Sequence, residues 1–466
     1  MKKFSIMMLA LFLGTIAFGQ NVDKAQEKKQ AIDQYGNTVD VKPLEASSRD
    51  GILVFESKDK DYKFWFDSRV QIDFANYWGQ QSWADKIGDG ASVRRARFAV
   101  KAQITPMWYG EVDMELANGS FELKDAIVRF TGLKNWQFSV GSQKPDFSIS
   151  RNTSSRYLEF MERPMVVSAF APSRHLGIFA KYNNKLLFAS ASILFQEIEG
   201  QETRDYVEKN NKDYGMSEGL SYLGKIVLRP LNEADYGIHI GGALMYDQPK
   251  TSDENGMNNW ERFSCRNATN INRKKYIDTD DIKGADHNLI ATVELAGHYE
   301  GLRIESAWMS DWTYMKKETN IDKPYHFQGW YVEGGYLLFG GKQTYDSGSA
   351  KFNRTRNGRK WGDIELALKY EFLNMNDYKD RGDNAIYGGS AELYGAGLNF
   401  YFGKNVKFAI NYQFVNNDRY ANGKGKLYVG LDAEGNPTKD YTKVVAGDGD
   451  AGVNYHLLLG RFQIAF

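Results

Sequence analysis

Residues able to carry chemistry concentrate in two places. In SVRRARFAVKAQI (92–104), Arg95, Arg97 and Lys101 fall on one parity, and Ala96, Phe98, Val100 and Ala102 on the other. Extended backbone sends alternate side chains to opposite faces, so this segment has one cationic and one apolar face. In WYGEVDMELAN (108–118), Glu111, Asp113 and Glu115 form an acidic row against Val112, Met114 and Leu116. On neighbouring antiparallel strands the two rows pair across a water-filled interior while the apolar faces meet lipid. In a soluble sandwich the same apolar faces would instead point inward.

The second concentration is 144–174, KPDFSISRNTSSRYLEFMERPMVVSAFAPSR. It sets Lys144, Arg151, Arg156, Arg163 and Arg174 against Asp146, Glu159 and Glu162. It also holds Phe147, Ile149, Leu158, Phe160, Met161, Met165, Val166, Val167 and Phe170, which need cover. The pattern predicts a loop folded inward, with its apolar residues on a wall and its guanidinium groups aimed at a passage. Arginine suits that role because it stays charged and presents a planar donor fork to phosphate or carboxylate. The alternative is an external loop whose arginines pair with Glu159 and Glu162.

Other chemistry is hard to find. There is no G-x-S-x-G, H-E-x-x-H or G-x-x-x-x-G-K-[ST], and no cysteine pair for zinc. The six histidines are scattered, and His298 with Glu300 reads as a hydrogen-bonding pair facing the interior. The Asp-rich patches at 278–281 and 447–452 lack calcium-loop spacing and read as solvated loops. Cys265 alone cannot form an intrachain disulfide, and its surroundings RFSCRNA do not activate a thiol. No catalytic residue, metal or cofactor is expected.

The elements that must position these residues are strands. Aromatic residues make up 14% of the chain, with 45 glycines and only nine prolines, which favours long strands and tight turns. In YKFWFDSRVQIDFANYW (62–78), Phe64, Phe66, Val70, Ile72 and Phe74 alternate with Asp67, Arg69, Gln71 and Asp73. The pattern recurs in 91–104, 108–118 and 362–372, with further candidates at 121–131, 136–143, 175–183, 186–197, 220–229, 236–246, 287–300, 302–312, 325–339, 389–402, 405–416 and 453–466. That makes sixteen strands, an even number, and most are of spanning length rather than the five or six residues usual in soluble folds. Long connections at 144–174, 247–286 and 417–452 contrast with short turns such as 132–135 and 184–185, the asymmetry of outer-membrane barrels.

The ends agree with export. Lys2 and Lys3, an apolar run from Phe4 to Leu13 and small residues at Ala17 and Gly19 have the layout of a signal peptide cleaved near Gly19. Residues 20–55 form a polar leader, a loose segment or short helix outside any core, and 56–466 the barrel. The chain ends on Phe466, sharing parity with Leu458, Phe462 and Ile464. Equal numbers of basic and acidic residues, 59 each, argue against a nucleic-acid partner.

RRARFAVKA (94–102), ELKDAIVRF (122–130), VGSQKPDFS (140–148) and SSRYLEFMERPMVVSAFAPSRHLG (154–177) resemble the phosphate-selective porin O and P family of bacterial outer membranes. The resemblance is carried by residues 60–185 and extends by strand pattern to the C-terminus. It implies a transmembrane antiparallel β-barrel of sixteen strands, an all-β homotrimer with an inward third loop. Its lumen would be anion-preferring, lined by Arg95, Arg97, Lys101, Arg129, Lys144, Arg151, Arg156, Arg163 and Arg174. Glu111, Asp113, Glu115, Asp146, Glu159 and Glu162 would be counter-charges within it.

The reading is therefore a passive outer-membrane channel for small hydrophilic, phosphate-type anionic solutes, surrounded by outer-membrane lipid. Three other readings differ in class. A surface or adhesive barrel would use the loops 247–286 and 417–452. An outer-membrane lipase would need a Ser–His pair at the lipid-facing rim, to which no spacing here points. A periplasmic sandwich binding glycans would partition into water without detergent.

Overall fold

The computed structural model describes residues 30–119, 121–197, 219–250, 260–266, 268–418, 422–423, 425–445 and 452–466. The segment read as a signal peptide and most of the 447–452 patch lie outside the described residues. The chain divides into a unit ending at Leu44 and a unit from Glu45 to Phe466. In the first, Gln30–Ile32 pairs with Thr38–Asp40. Asp33 Oδ1 accepts the Tyr35 and Asn37 amides at 2.9 and 2.8 Å, and Gly36 takes a φ of 86°, so a tight turn replaces the expected loose segment or helix.

The larger unit is a closed antiparallel barrel of sixteen strands. They are β1 Tyr62–Trp78, β2 Gly90–Ile104, β3 Trp108–Glu115, β4 Glu122–Phe130, β5 Trp136–Gln143, β6 His175–Asn183, β7 Leu187–Glu197 and β8 Leu220–Leu228. The second half is β9 Tyr236–Gln248, β10 Ala285–Tyr299, β11 Leu302–Met315, β12 Tyr325–Leu337, β13 Gly362–Asp377, β14 Ile386–Phe402, β15 Val406–Asp418 and β16 Tyr455–Ala465. The leader strand Ile52–Ser57 also joins β1, through Val54 opposite Trp65.

The alternation decides which face meets what. On β11, Leu302 and Ile304 are 39% and 47% exposed, whereas Arg303 and Glu305 between them are 1% and 0%. The apolar parity faces outward and the charged parity inward, which is stable only where lipid surrounds the wall. Closure removes both sheet edges. Here Arg461 lies opposite Asp73 and grips it with two bonds of 2.7 Å. Phe466 completes the seam by exchanging backbone bonds with Ser68 at 2.6 and 3.0 Å.

Several connections pack inside the wall: Phe263 and Tyr276 of the one after β9 are buried, and Phe263 lies edge-on to Phe170 of the third loop. The third loop, between β5 and β6, contains helices α1 (Ile149–Asn152) and α2 (Met165–Phe170). All nine apolar residues predicted to need cover are buried. Residues 338–361, between β12 and β13, are not among the long connections named from the sequence. They fold a small hairpin, Tyr345–Asp346 against Lys351–Phe352, back into the barrel. Phe352 packs on Ile149 and Ala296, and Ala350 on Phe188 and Val227. Loop and hairpin together fill part of the lumen, leaving a passage against β1–β6.

Candidate functional site

The passage has a volume of about 720 Å³. Its position follows from how the third loop is held. Backbone carbonyls of Tyr157, Leu158, Glu159 and Met161 accept bonds from Arg303, Lys407, Asn399 and Arg461 at 2.6–3.0 Å. The Met161 and Met165 amides donate to Asn411 Oδ1 and Glu371 Oε2 at 3.0 and 2.6 Å. These partners lie on β11 and β13–β16, so the loop crosses from β5 to the far wall. The Phe160 ring is 1% exposed and is seated over Gly395 and Gly397, where an added Cβ would lie 3.2 and 3.4 Å from it. The Lys369 ammonium stands 4.7 Å from its centroid.

All nine basic residues singled out in the sequence line this passage, as do Glu111, Asp113, Glu115, Asp146 and Glu162. Glu159 does not. It lies behind the loop, 1% exposed, with the Arg303 guanidinium 3.7 Å away and Glu305 and Glu365 nearby. The reason is the tether just described, which turns the Glu159 backbone toward β14 and its side chain away from water. Burial holds the Glu159 carboxyl up at about 8, although Arg303 opposes it. The His298–Glu300 pair is also absent: His298 stacks on Tyr345, while Glu300 bonds Lys342 at 3.2 Å. The acidic patch at 278–281 is not simply solvated, since Asp278 is buried and clamps Arg262 at 2.8 and 2.6 Å.

Register explains the charge arrangement. Arg97 sits opposite Glu115 and Lys101 opposite Glu111, with nitrogen–oxygen distances of 2.8 and 3.2 Å. Arg97 also reaches Asp113 at 3.6 Å, and Lys101 reaches Asp67 at 3.0 Å. Arg156 from the third loop bonds the other oxygen of Asp67. Asp146 meets Lys181 of β6 at 2.7 Å, and Arg174 grips Asp125 with bonds of 2.8 and 3.0 Å. Glu122 holds Lys124 at 2.6 Å. Glu162 accepts Arg94 at 2.6 and 2.9 Å and Arg461 at 3.1 Å, and although burial opposes it, Arg94 holds its carboxyl well below the usual range.

The lining comprises fourteen Lys and Arg against eight Asp and Glu, an excess of six positive charges. Every one of the eight carboxylates has a cationic partner in the contacts above. Six cations make no ion pair among the described residues: Arg69, Arg95, Arg129, Lys144, Arg163 and Lys351. Arg69 bonds the Ser154 and Ser155 hydroxyls at 3.3 and 3.0 Å, Arg95 the Gln71 side chain at 2.8 Å, and Arg129 lies 4.7 Å from the Tyr109 ring. Arg163 donates to the Ser150 and Thr153 carbonyls at 2.9 and 2.6 Å. Burial first, then Arg151, lower Arg163 to about 9, and burial with Arg163, Arg174 and Arg151 pushes Lys144 well down. An anion placed among them would relieve that repulsion.

Sequence parity had not put Arg69, Arg94, Lys124, Lys181 or Lys351 among the lining residues. Arg69 and Lys181 were legible on the polar parity of their strands. Arg94 was not, because it shares parity with Ala96. A bulge pairs Gln71 with Arg95 but Ile72 with Val93, leaving Arg94 as the extra residue, and it turns inward. Lys351 arrives on the hairpin from the opposite end of the barrel. A second cavity of about 730 Å³ at the turn end shares Tyr157 with the first and is lined by Arg49, Arg354, Arg356, Arg359, Lys360 and Lys404 against Asp50.

The Ser–His contact that a rim lipase would require does occur, between Ser310 Oγ and His326 Nε2 at 2.7 Å on the outward parity of β11 and β12. Ser310 is 0% exposed, and its hydroxyl also contacts the Phe327 carbonyl at 3.1 Å. It offers no accessible nucleophile.

Comparison with known proteins gives a consistent result. The family described as "Phosphate-selective porin O and P" matches residues 64–432. An uncharacterized protein of Caulobacter vibrioides is 25% identical over 84% of this chain and 74% of its own length. Porin O of Pseudomonas aeruginosa is 22% identical over 80% of this chain and 88% of its own. Among solved structures, a loop-deletion mutant of the outer-membrane protein OmpT of Vibrio cholerae superposes with a TM-score of 0.50 at 12% identity, covering 86% of this chain and 99% of that one.

Proposed function

The chain belongs to the phosphate-selective porin O and P family, non-enzymatic channels of the bacterial outer membrane, and we propose that its passage selects small anions of the phosphate type. One observation carries the reading: the carboxylates of the passage are all paired, while six of its cations are not. A cation crossing finds no free carboxylate, whereas a phosphate meets unpaired guanidinium and ammonium donors. The acidic row Glu111–Asp113–Glu115 and Asp146 act here as internal counter-ions of Arg97, Lys101 and Lys181. They fix those side chains without reversing the sign of the passage.

Constriction is assigned to the third loop, through Arg151, Arg156, Arg163 and Arg174, with Arg95, Arg97, Lys101 and Arg129 on the facing strands. The homotrimer is part of the same proposal and is carried over from the family. It is checked by the mass of the detergent-solubilised protein.

The test is single-channel recording of the refolded chain in a planar bilayer under a KCl gradient, with phosphate added. Anion-preferring steps that phosphate reduces, and a weaker phosphate effect in Lys144→Gln, are expected. Cation preference, or phosphate insensitivity in the wild type, would leave the porin and remove the anion selectivity.

A further inference from the structure

The membrane-facing wall carries one feature that channel function does not use. Glu392 of β14 shares the outward parity of Tyr394, Leu398 and Phe402, which are 46%, 38% and 49% exposed. A carboxylate on this face is unfavourable unless it meets donors. Two are present: the Tyr370 and Tyr394 hydroxyls donate to Glu392 Oε1 and Oε2, each at 3.0 Å. No cation pairs with Glu392 among the described residues, and an ionised carboxylate has about four acceptor positions, so part of its capacity is unused.

The rings of the same two tyrosines border an outward cavity of about 750 Å³ spanning β11 to β15. Its walls include Val332, Leu366, Leu368 and Tyr412, and its floor Gly334 and Ala396. The floor is low because Gly334 has no side chain; a Cβ there would stand 2.9 Å from the Arg303 carbonyl oxygen. The apolar groove is thus bordered by two tyrosines whose hydroxyls hold the Glu392 carboxylate. That matches an amphiphile: a hydrocarbon chain along the groove and a donor-bearing, positively charged head at Glu392. A second barrel is a poorer fit, because two convex walls touch along their rims and do not reach a floor formed by Gly334 and Ala396.

We propose that this groove and Glu392 form a site for one membrane lipid whose head group carries a primary ammonium. The ammonium donates to Glu392 beside the Tyr370 and Tyr394 hydroxyls, and one acyl chain lies over Gly334 and Ala396. The charge complementarity is specific: a trimethylated head has no N–H to donate, and an anionic glycerol head repels the carboxylate.

The full-length barrel, purified in detergent and stripped of lipid, is mixed with phosphatidylethanolamine, phosphatidylcholine or phosphatidylglycerol, and retained lipid is counted by native mass spectrometry. One ethanolamine lipid per barrel is expected, retained about tenfold better than the other two, the factor that one charge-assisted hydrogen bond supplies. Glu392→Gln, which keeps the side-chain shape, erases the preference among lipids. Ala396→Phe, which fills the floor, reduces retention of all three, and single-channel conductance of both variants stays at the wild-type level. Equal retention of the three lipids by the wild type, or unchanged retention in Glu392→Gln, overturns the proposal. So does an Ala396→Phe barrel that loses its oligomeric state while holding lipid as before, which would assign the groove to a subunit contact.

Discussion

Lys351 offers the sharpest separation of net charge from charge pairing. It reaches the passage on the hairpin 338–361 and makes no ion pair among the described residues, so Lys351→Gln removes one unit of positive charge from the lining. A unit charge about 5 Å from a crossing ion contributes about 0.8 kcal/mol in water. Screening over a Debye length of about 10 Å at 0.1 M salt reduces this to about 0.5 kcal/mol. That is a factor of about 2.3 on anion occupancy and its inverse on cations, so the anion-to-cation permeability ratio falls about fivefold. The control is Asp146→Asn with Lys181→Gln, which deletes a pair 2.7 Å apart and leaves the net charge unchanged. Its ratio should stay within a factor of about 1.5 of wild type by the same Coulomb estimate. Reversal potentials under a tenfold salt gradient measure both. If the double variant shifts the ratio as far as Lys351→Gln does, selectivity does not follow net charge and the reasoning fails.

Glu159 predicts a pH dependence of stability. Its carboxyl rises from an ordinary 4.5 to about 8 on folding, so the native chain holds a proton that the unfolded chain has released. Its contribution is therefore present below about 4.5 and is lost as pH rises through the window to about 8. Wild-type melting, followed by circular dichroism in detergent, should be lower at pH 9 than at pH 5, with a smaller difference in Glu159→Gln; equal differences would refute the assignment. Phe160→Ala removes the ring seated over Gly395 and Gly397, at about 3–5 kcal/mol for a buried phenylalanine. With that anchor gone the third loop loosens from the far wall. Larger and noisier conductance steps are expected, and steps indistinguishable from wild type would show that the backbone tethers hold the loop without it.

Strand parity, together with strand length, determined the barrel. Because side chains alternate with a period of two, an apolar row opposite a charged row in sixteen long segments leaves few arrangements other than a closed wall between lipid and water, and register then pairs Arg97 with Glu115 and Lys101 with Glu111. The inward third loop was legible as well, since nine apolar residues in one connection had to be covered. Parity could not place Arg94, because a bulge breaks the period at the point where it acts. It also missed the hairpin 338–361, whose entry into the lumen depends on Phe352 and Ala350 finding buried partners on the third loop and on β7, β8 and β10. Nor did composition separate Glu159 from Glu162, three residues apart in one loop: tethers from β11 and β14–β16 turn the first into a dry acid cluster and leave the second in the passage beside Arg94. Which charges face each other was decided only by tertiary structure, because Coulomb energy depends on distance and burial, and the chain sets those only once the wall closes and the loop crosses it.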